Sequence, residues 1–273
     1  MTLPVALAQL AADADGEANV DRAVQAVRAA ARGGARLVAL PEYAAGWAPR
    51  LGPELAQGAD GVFERSIRQV AAEENVWVVA GTMRPVPGRP GRSQNVALLV
   101  GPDGRTAGEY VKVHLFDALG VRESDVLDAG EPGAANLLVQ EIEGVRVGVA
   151  TCYDLRFPEL FRLLADGGAE VIVVIAAWAA GPGKVEQLQT LTRARALENT
   201  AYLLLASQSG RGRAGNSAVL DPLGHPRQEA GGEEPALLHD DLDTAEVARV
   251  RESLPSLTHR RFRVVPGSPG MPS

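Results

Sequence analysis

Apolar residues in this chain come in short dense runs separated by mixed segments. The runs LPVALAQL at 3–10, ARLVALPE at 35–42, VWVVAGT at 76–82 and NVALLV at 95–100 are each of strand length. VRVGVATC at 145–152, EVIVVIAA at 170–177, AYLLLASQ at 201–208 and NSAVLD at 216–221 repeat that pattern. Between them lie helical periods. In residues 19–32, Val20, Ala23, Val24, Val27 and Ala30 recur at i, i+3, i+4 spacing, and Gly33 and Gly34 mark the stop. Residues 61–74 and 184–200 carry the same period, and PDG at 102–104 predicts a hairpin turn within 95–111. This alternation predicts an α/β fold in which helices cover a sheet.

Pro and Gly cluster in PVPGRPG at 85–91, read as a surface loop, and in the last residues, read as a loose tail from about residue 264. Neither separates regions of different composition, so residues 1–273 are expected to form a single domain. No internal repeat is visible.

Composition narrows the function. The chain is 46% hydrophobic and 22% charged, an ordinary globular balance. Its formal charge is −7, its pI is about 5.2, and its basic residues are scattered, which argues against nucleic acid and for a small-molecule substrate. No apolar stretch reaches the roughly 18 residues of a spanning helix, and the start lacks a signal-like pattern, so a cytoplasmic protein is expected. Cys152, the single cysteine, agrees with a reducing compartment.

Cys152 ends an apolar run and precedes FPELFRLLADGG, a helix with Pro158 in its first turn. A thiol at a strand-to-helix turn can face a substrate, and the helix N-terminus favours a thiolate there. Taken alone, a lone cysteine is more often a small buried hydrophobe. Glu42 follows a strand and Pro41, and Lys112 stands in the alternating segment GEYVKVHLF. Alone, each has a plain structural role as a cap or an exposed strand residue. Together with a thiol they meet the needs of amide cleavage, in which a carboxylate takes the thiol proton and an ammonium holds the oxyanion.

LPEY, YVKVHLFD and TCYDLRFPEL, in that order and roughly seventy and forty residues apart, resemble the three catalytic motifs of the nitrilase superfamily, the carbon–nitrogen hydrolases. The similarity extends through RESDVLDAGEPG, RARALENTAY and DPLG, over residues 3 to about 262. The resemblance implies a four-layer α-β-β-α sandwich and a homodimer or higher homo-oligomer, with LPSLTHRRF packing across the partner. It makes Cys152 the nucleophile, Glu42 the general base, Lys112 the stabiliser of the tetrahedral intermediate and Glu123 a second glutamate orienting substrate and lysine. The amide of Tyr153 would complete the oxyanion site. No cofactor and no metal are implied.

The spelling CYDLRFPEL most resembles the ω-amidase and deaminated glutathione amidase branch. Arg156 could then bind a substrate carboxylate, although a salt bridge to Asp154 or Glu159 is the simpler role, and Trp178 is read as a pocket wall or a core aromatic. Two stretches depart from that branch. AAGPGKVEQLQ, with Lys184, Glu186 and Gln187, stands where a His-Trp pair is usual, and ASQSGRGRAGNS has Asn216 before Ser217 where histidine is frequent.

His114, His225, His239 and His259 are dispersed, with His114 read as a structural neighbour of Lys112. No zinc spacing, dinucleotide fingerprint or G-x-S-x-G elbow is present. The resemblance of the Cys152 neighbourhood to the ω-amidase branch makes amide hydrolysis the expected activity. A nitrilase, an N-carbamoyl amino acid hydrolase, or a silent small-molecule-binding or scaffold protein remain the alternatives.

Overall fold

The computed structural model describes residues 2–266, so most of the tail expected from about 264 lies outside the described residues. Among the described residues there are fourteen strands: β1 (Thr2–Gln9), β2 (Leu37–Ala39), β3 (Trp77–Pro85), β4 (Ser93–Val100), β5 (Thr106–Val111), β6 (Asp117–Ala118), β7 (Val121–Arg122), β8 (Val139–Ile142), β9 (Val145–Thr151), β10 (Val171–Ala176), β11 (Tyr202–Ser207), β12 (Ala218–Leu220), β13 (Pro226–Glu229) and β14 (Ala236–Asp243). The helices are α1 (Gly16–Arg32), α2 (Val62–Glu74), α3 (Pro158–Asp166), α4 (Lys184–Asn199) and α5 (Thr244–Ser253).

Two six-stranded sheets form the centre. One runs β14-β1-β2-β3-β4-β5 and the other β13-β12-β11-β10-β9-β8, while β6 and β7 make a separate small hairpin. The side-chain alternation of β1 explains their stacking. Leu3, Val5 and Leu7 point into a core shared with Val147, Val149 and Val173 of the second sheet. Ala6 and Ala8 point the other way, into a core with Val27 of α1 and Phe63 and Ile67 of α2. Phe161 and Leu164 of α3 and Leu188 of α4 cover the outer face of the second sheet. The four-layer α-β-β-α sandwich implied by the sequence resemblance is the fold observed.

Local chemistry moves some boundaries. Asp15 accepts from Glu17 N and Ala18 N, both at 3.1 Å, and so starts α1 ahead of the apolar period, which began at residue 19. Helix α2 ends at Asn75 in the left-handed region, φ 54°, and the hairpin β4–β5 turns over Gly104, as PDG predicted. The loop at 85–91 joins β3 to β4 at the surface. Strands β8, β13 and β14 and helix α5 were not anticipated.

Candidate active site

Glu42, Lys112 and Cys152 arrive from three separate chain segments at one end of the sandwich. Glu42 lies beyond β2, Lys112 directly after β5, and Cys152 directly after β9. The first two therefore belong to one sheet and the cysteine to the other. Gly81 in β3 runs directly beneath Glu42. A Cβ there would lie 2.5 Å from Glu42 Cα and 2.6 Å from Pro41 O, so only glycine permits this approach.

Hydrogen bonds leave little freedom to the Glu42 carboxylate. Its Oε1 accepts from Asn95 Nδ2 at 2.7 Å and from Lys112 Nζ at 3.0 Å. Its Oε2 accepts from Ala177 N at 2.7 Å, at the end of β10. Gln208 holds the backbone, donating from Nε2 to Glu42 O at 3.0 Å while its Oε1 accepts from Ala12 N at 2.9 Å. The Cys152 thiol lines the same cavity as this carboxylate, and the Glu42 charge reaches it.

Lys112 has no exposed side-chain surface and donates to Glu42 and, at 2.8 Å, to Glu123 Oε2. Burial acts to lower its pKa, but the charges of Glu123 and Glu42 outweigh it and hold the ammonium well above the usual lysine range. Glu123 also accepts from Phe116 N at 2.8 Å and from Tyr43 OH at 2.9 Å. Burial would raise its pKa, yet Lys112 and these donors keep it below the ordinary value. Glu42 differs. Burial is the largest influence on it, Glu123 adds to that, and its pKa is raised despite the opposing pull of Lys112.

The thiol is pushed well up by burial and then by the Glu42 charge. This corrects the expectation that a helix N-terminus would favour a thiolate. A 3₁₀ turn, Cys152–Arg156, intervenes before α3 starts at Pro158, and a carboxylate stands against the sulfur. The resting pair is thus a thiol beside a carboxylate. Cys152 itself sits at φ 49°, a strained conformation that accompanies many reactive turns.

Two residues after the lysine and two after the cysteine, the chain segments are tied together. Asp154, fully buried, accepts from Tyr110 OH at 2.8 Å and Thr151 N at 2.8 Å, and its Oδ1 lies 2.7 Å from His114 Nδ1. His114 stacks on Phe157 with ring centroids 3.7 Å apart. His114 is therefore more than a neighbour of Lys112: it joins the lysine segment to the cysteine turn.

The sequence pattern of the carbon–nitrogen hydrolase family matches residues 4–252. The chain is a carbon–nitrogen hydrolase. Hydrolase Rv0480c of Mycobacterium tuberculosis is 37% identical over 276 residues, covering 94% of this chain and 95% of the relative. A deaminated glutathione amidase of Escherichia coli O157:H7 is 40% identical over 207 residues, 76% of each chain. Among solved structures, a glutamate-to-glutamine mutant of the amidase from Nesterenkonia sp. AN1 superimposes with a TM-score of 0.79 at 29% identity, covering 95% of this chain and 94% of that one. That structure carries the acetamide moiety of fluoroacetamide covalently added at the active site cysteine.

In this hydrolase a cavity of about 130 Å³ opens above the cluster, with Glu42, Glu123 and Cys152 among its lining residues. Tyr153 and Trp178 form part of its wall, and Trp178, 4% exposed, donates from Nε1 to Lys184 O at 3.0 Å. Arg156 makes neither of the salt bridges expected for it. Asp154 is already bound by His114 and Tyr110, and Arg156 Nη2 donates instead to Gln187 Oε1 at 2.6 Å. Its guanidinium centre lies 5.3 Å from the Trp178 ring centroid, and it is absent from the described residues that line the cavity. Lys184 lines the cavity, whereas Asn216 turns away to bond Ala214 O. Tyr43, Asn95, Gln208 and Arg213 are the site residues that sequence reading missed. Asn95 and Gln208, polar residues at the ends of apolar strands, carried the only available signal. Among the described residues, no group of three or more His, Cys, Asp or Glu side chains is gathered to hold a metal ion, and no helix is long and apolar enough to cross a membrane.

Proposed function

We propose that residues 1–273 act as a single catalytic domain hydrolysing a small linear amide to a carboxylate and ammonia, through a thioester on Cys152. The observation that carries this reading is the cavity lined by both Cys152 and Glu42, whose carboxylate is itself bonded to Lys112. Glu42 takes the thiol proton as sulfur attacks the amide carbon, and the carbonyl electrons move to oxygen. An ammonium has three donors, and Lys112 gives one each to Glu42 and Glu123, so the third is free for that oxyanion. The amide of Tyr153 supplies a second donor. Glu42 then protonates the leaving nitrogen, the C–N bond breaks and ammonia departs. In the second half, Glu42 takes a proton from water, the oxygen adds to the thioester carbon, and the C–S bond breaks with the proton returned to sulfur.

Glu123 positions Lys112, while Tyr153 and Trp178 shape the space around the acyl group. The deaminated glutathione amidase relative supports an ω-amide as the substrate class. A reducing compartment such as the cytoplasm suits a mechanism that needs a free thiol. Pairing of two copies belongs to the same reading, and the exposed Phe262 near α3, where Arg260 bonds Asp166, offers an apolar contact for it.

The test is ammonia release from ω-amides, N-carbamoyl acids and nitriles, run beside Cys152→Ala. Turnover of amides that disappears in the variant is the expected result. Turnover that survives in Cys152→Ala would overturn the thioester route, and turnover confined to nitriles or carbamoyl acids would replace the substrate class.

A further inference from the structure

The cavity holds two cations that the catalytic cluster does not use. Arg213 is 8% exposed and Lys184 lines the same wall, yet neither forms an ion pair with a carboxylate among the described residues. The half-buried Arg84 shows the usual arrangement, with Glu64 at 2.6 and 2.8 Å and Glu109 at 2.7 Å. Arg213 instead gives Nη1 to Ala12 O at 2.6 Å and lies 4.1 Å over the Trp47 ring. Its Nε has no hydrogen-bond partner. Asp13, the acidic residue whose charge reaches it, is bound to Arg22 at 2.9 Å. Lys184 Nζ rests over the rings of Phe116 and Trp178, 5.5 and 5.8 Å from their centroids.

Removing a cation from water without a counter-charge costs several kcal/mol, so a purely structural arginine would be paired. The cavity carboxylates cannot supply the charge, because Glu42 and Glu123 both bind Lys112. Burial lowers the pKa of Arg213, and burial followed by the Arg156 charge lowers that of Lys184, as expected of cations lacking a partner.

Both cations are held in advance on one backbone frame. Ala180 N donates to Gly212 O at 3.0 Å and Ala214 N to Trp178 O at 2.8 Å, and the Trp178 indole in turn bonds Lys184 O. Trp47 N donates to Asp13 O at 2.8 Å, next to the carbonyl that anchors Arg213. Such preorganisation favours a ligand over a packing role. Both residues also fall in the two segments where the sequence departs from the ω-amidase-like pattern.

We propose that Arg213, assisted by Lys184, is the specificity-determining site for a carboxylate at the far end of the substrate's acyl chain. Nη1 is taken by Ala12 O and Nε is buried, so the second Nη of Arg213 is the donor left for such a group, with the Lys184 ammonium on the same cavity wall. This deepens the amide reading above and rests on it.

Glutaramate and the uncharged pentanamide, a pair of similar length, test it. Wild type should favour glutaramate in kcat/KM by on the order of 100-fold, and Arg213→Met should collapse that ratio toward one, chiefly through KM. Lys184→Met should reduce the ratio less, and Arg213→Lys should restore part of it. Equal rates on both amides in wild type, or an unchanged ratio in Arg213→Met, overturn the site while leaving amide hydrolysis intact. If neither amide releases ammonia, calorimetric titration with glutarate decides separately. Binding to wild type weakened at least tenfold in Arg213→Met supports the site, and absent or equal binding overturns it.

Discussion

Glu42 and Lys112, 70 positions apart in the chain, share a hydrogen bond of 3.0 Å with both side chains shut away from water. Lys112 neutralises two buried carboxylates at once, so its charge holds the cluster together, apart from the oxyanion role proposed for it. Replacing it with methionine leaves Glu42 and Glu123 facing each other without a cation. Lys112→Met is expected to lower unfolding free energy by about 3–5 kcal/mol and turnover by at least about 100-fold. Urea denaturation alongside ammonia assays checks both, and a variant of normal stability would contradict the pairing.

Glu42→Gln separates acidity from catalysis. The carboxylate charge helps hold the thiol proton, so its removal beside Lys112 lets the thiol pKa fall. Thiolate absorbance near 240 nm should rise at lower pH than in wild type, while ammonia release drops about 10²- to 10⁴-fold. A thiol titration shifted upward would show that the carboxylate does not face the sulfur.

The acid side of the pH profile should follow Glu42. Burial raises its pKa above the ordinary 4.5, and only the ionised form can accept the thiol proton. Its stabilising contribution is therefore full below 4.5 and fades as pH rises through the raised value. Glu123, held below 4.5, contributes in the opposite sense, losing stability as pH falls through its lowered value. Activity is expected to decline on the acid side at a pH above 4.5 while circular dichroism still reports a folded chain. Coincident loss of activity and fold would place the limb elsewhere.

Gly81→Ala tests the support beneath Glu42. The added methyl would meet Tyr43 N at 2.7 Å as well as Glu42 Cα, and backbone cannot yield as a side chain does. A stability loss of about 1–3 kcal/mol is expected, with a fall in kcat/KM of about 100-fold from a displaced carboxylate. A fully active variant would mean that this segment yields freely.

Asp154→Asn probes the tie between the lysine segment and the cysteine turn. It replaces a charged acceptor of three donors with a neutral group whose amide competes for one of them. A cost of about 1.5–3 kcal/mol is expected, with slower alkylation of Cys152 by iodoacetamide. Unchanged alkylation would mean that the turn keeps its shape without the tie.

The strands buried on both faces were legible because their apolar runs are dense, as in Val171–Ala176. The edges were not. Strand β13, PRQE, is exposed throughout, and β14 carries the polar His239 and Asp240 at half-buried positions and Asp241 at an exposed one, so neither shows an apolar period. Glu42, Lys112, Glu123 and Cys152 were legible through ordered motifs. Asn95 and Gln208 reach Glu42 across 53 and 166 positions, and Arg213 is anchored on Ala12 across 201, and no local pattern announces such partners. Arg156, legible as a charge beside the nucleophile, was assigned partners that its neighbours had already claimed.

The division of the cluster between the two sheets has a consequence for how the enzyme comes into being. A chain with only the first sheet formed holds Glu42 and Lys112 without Cys152, and one with only the second holds Cys152 without the two charges that surround it in the folded chain. Catalytic competence is thus a property of sheet docking, acquired in one step and lost in one step. During refolding, recovery of ammonia release should track the burial of Trp178 fluorescence in a variant retaining that tryptophan alone, and should never precede it.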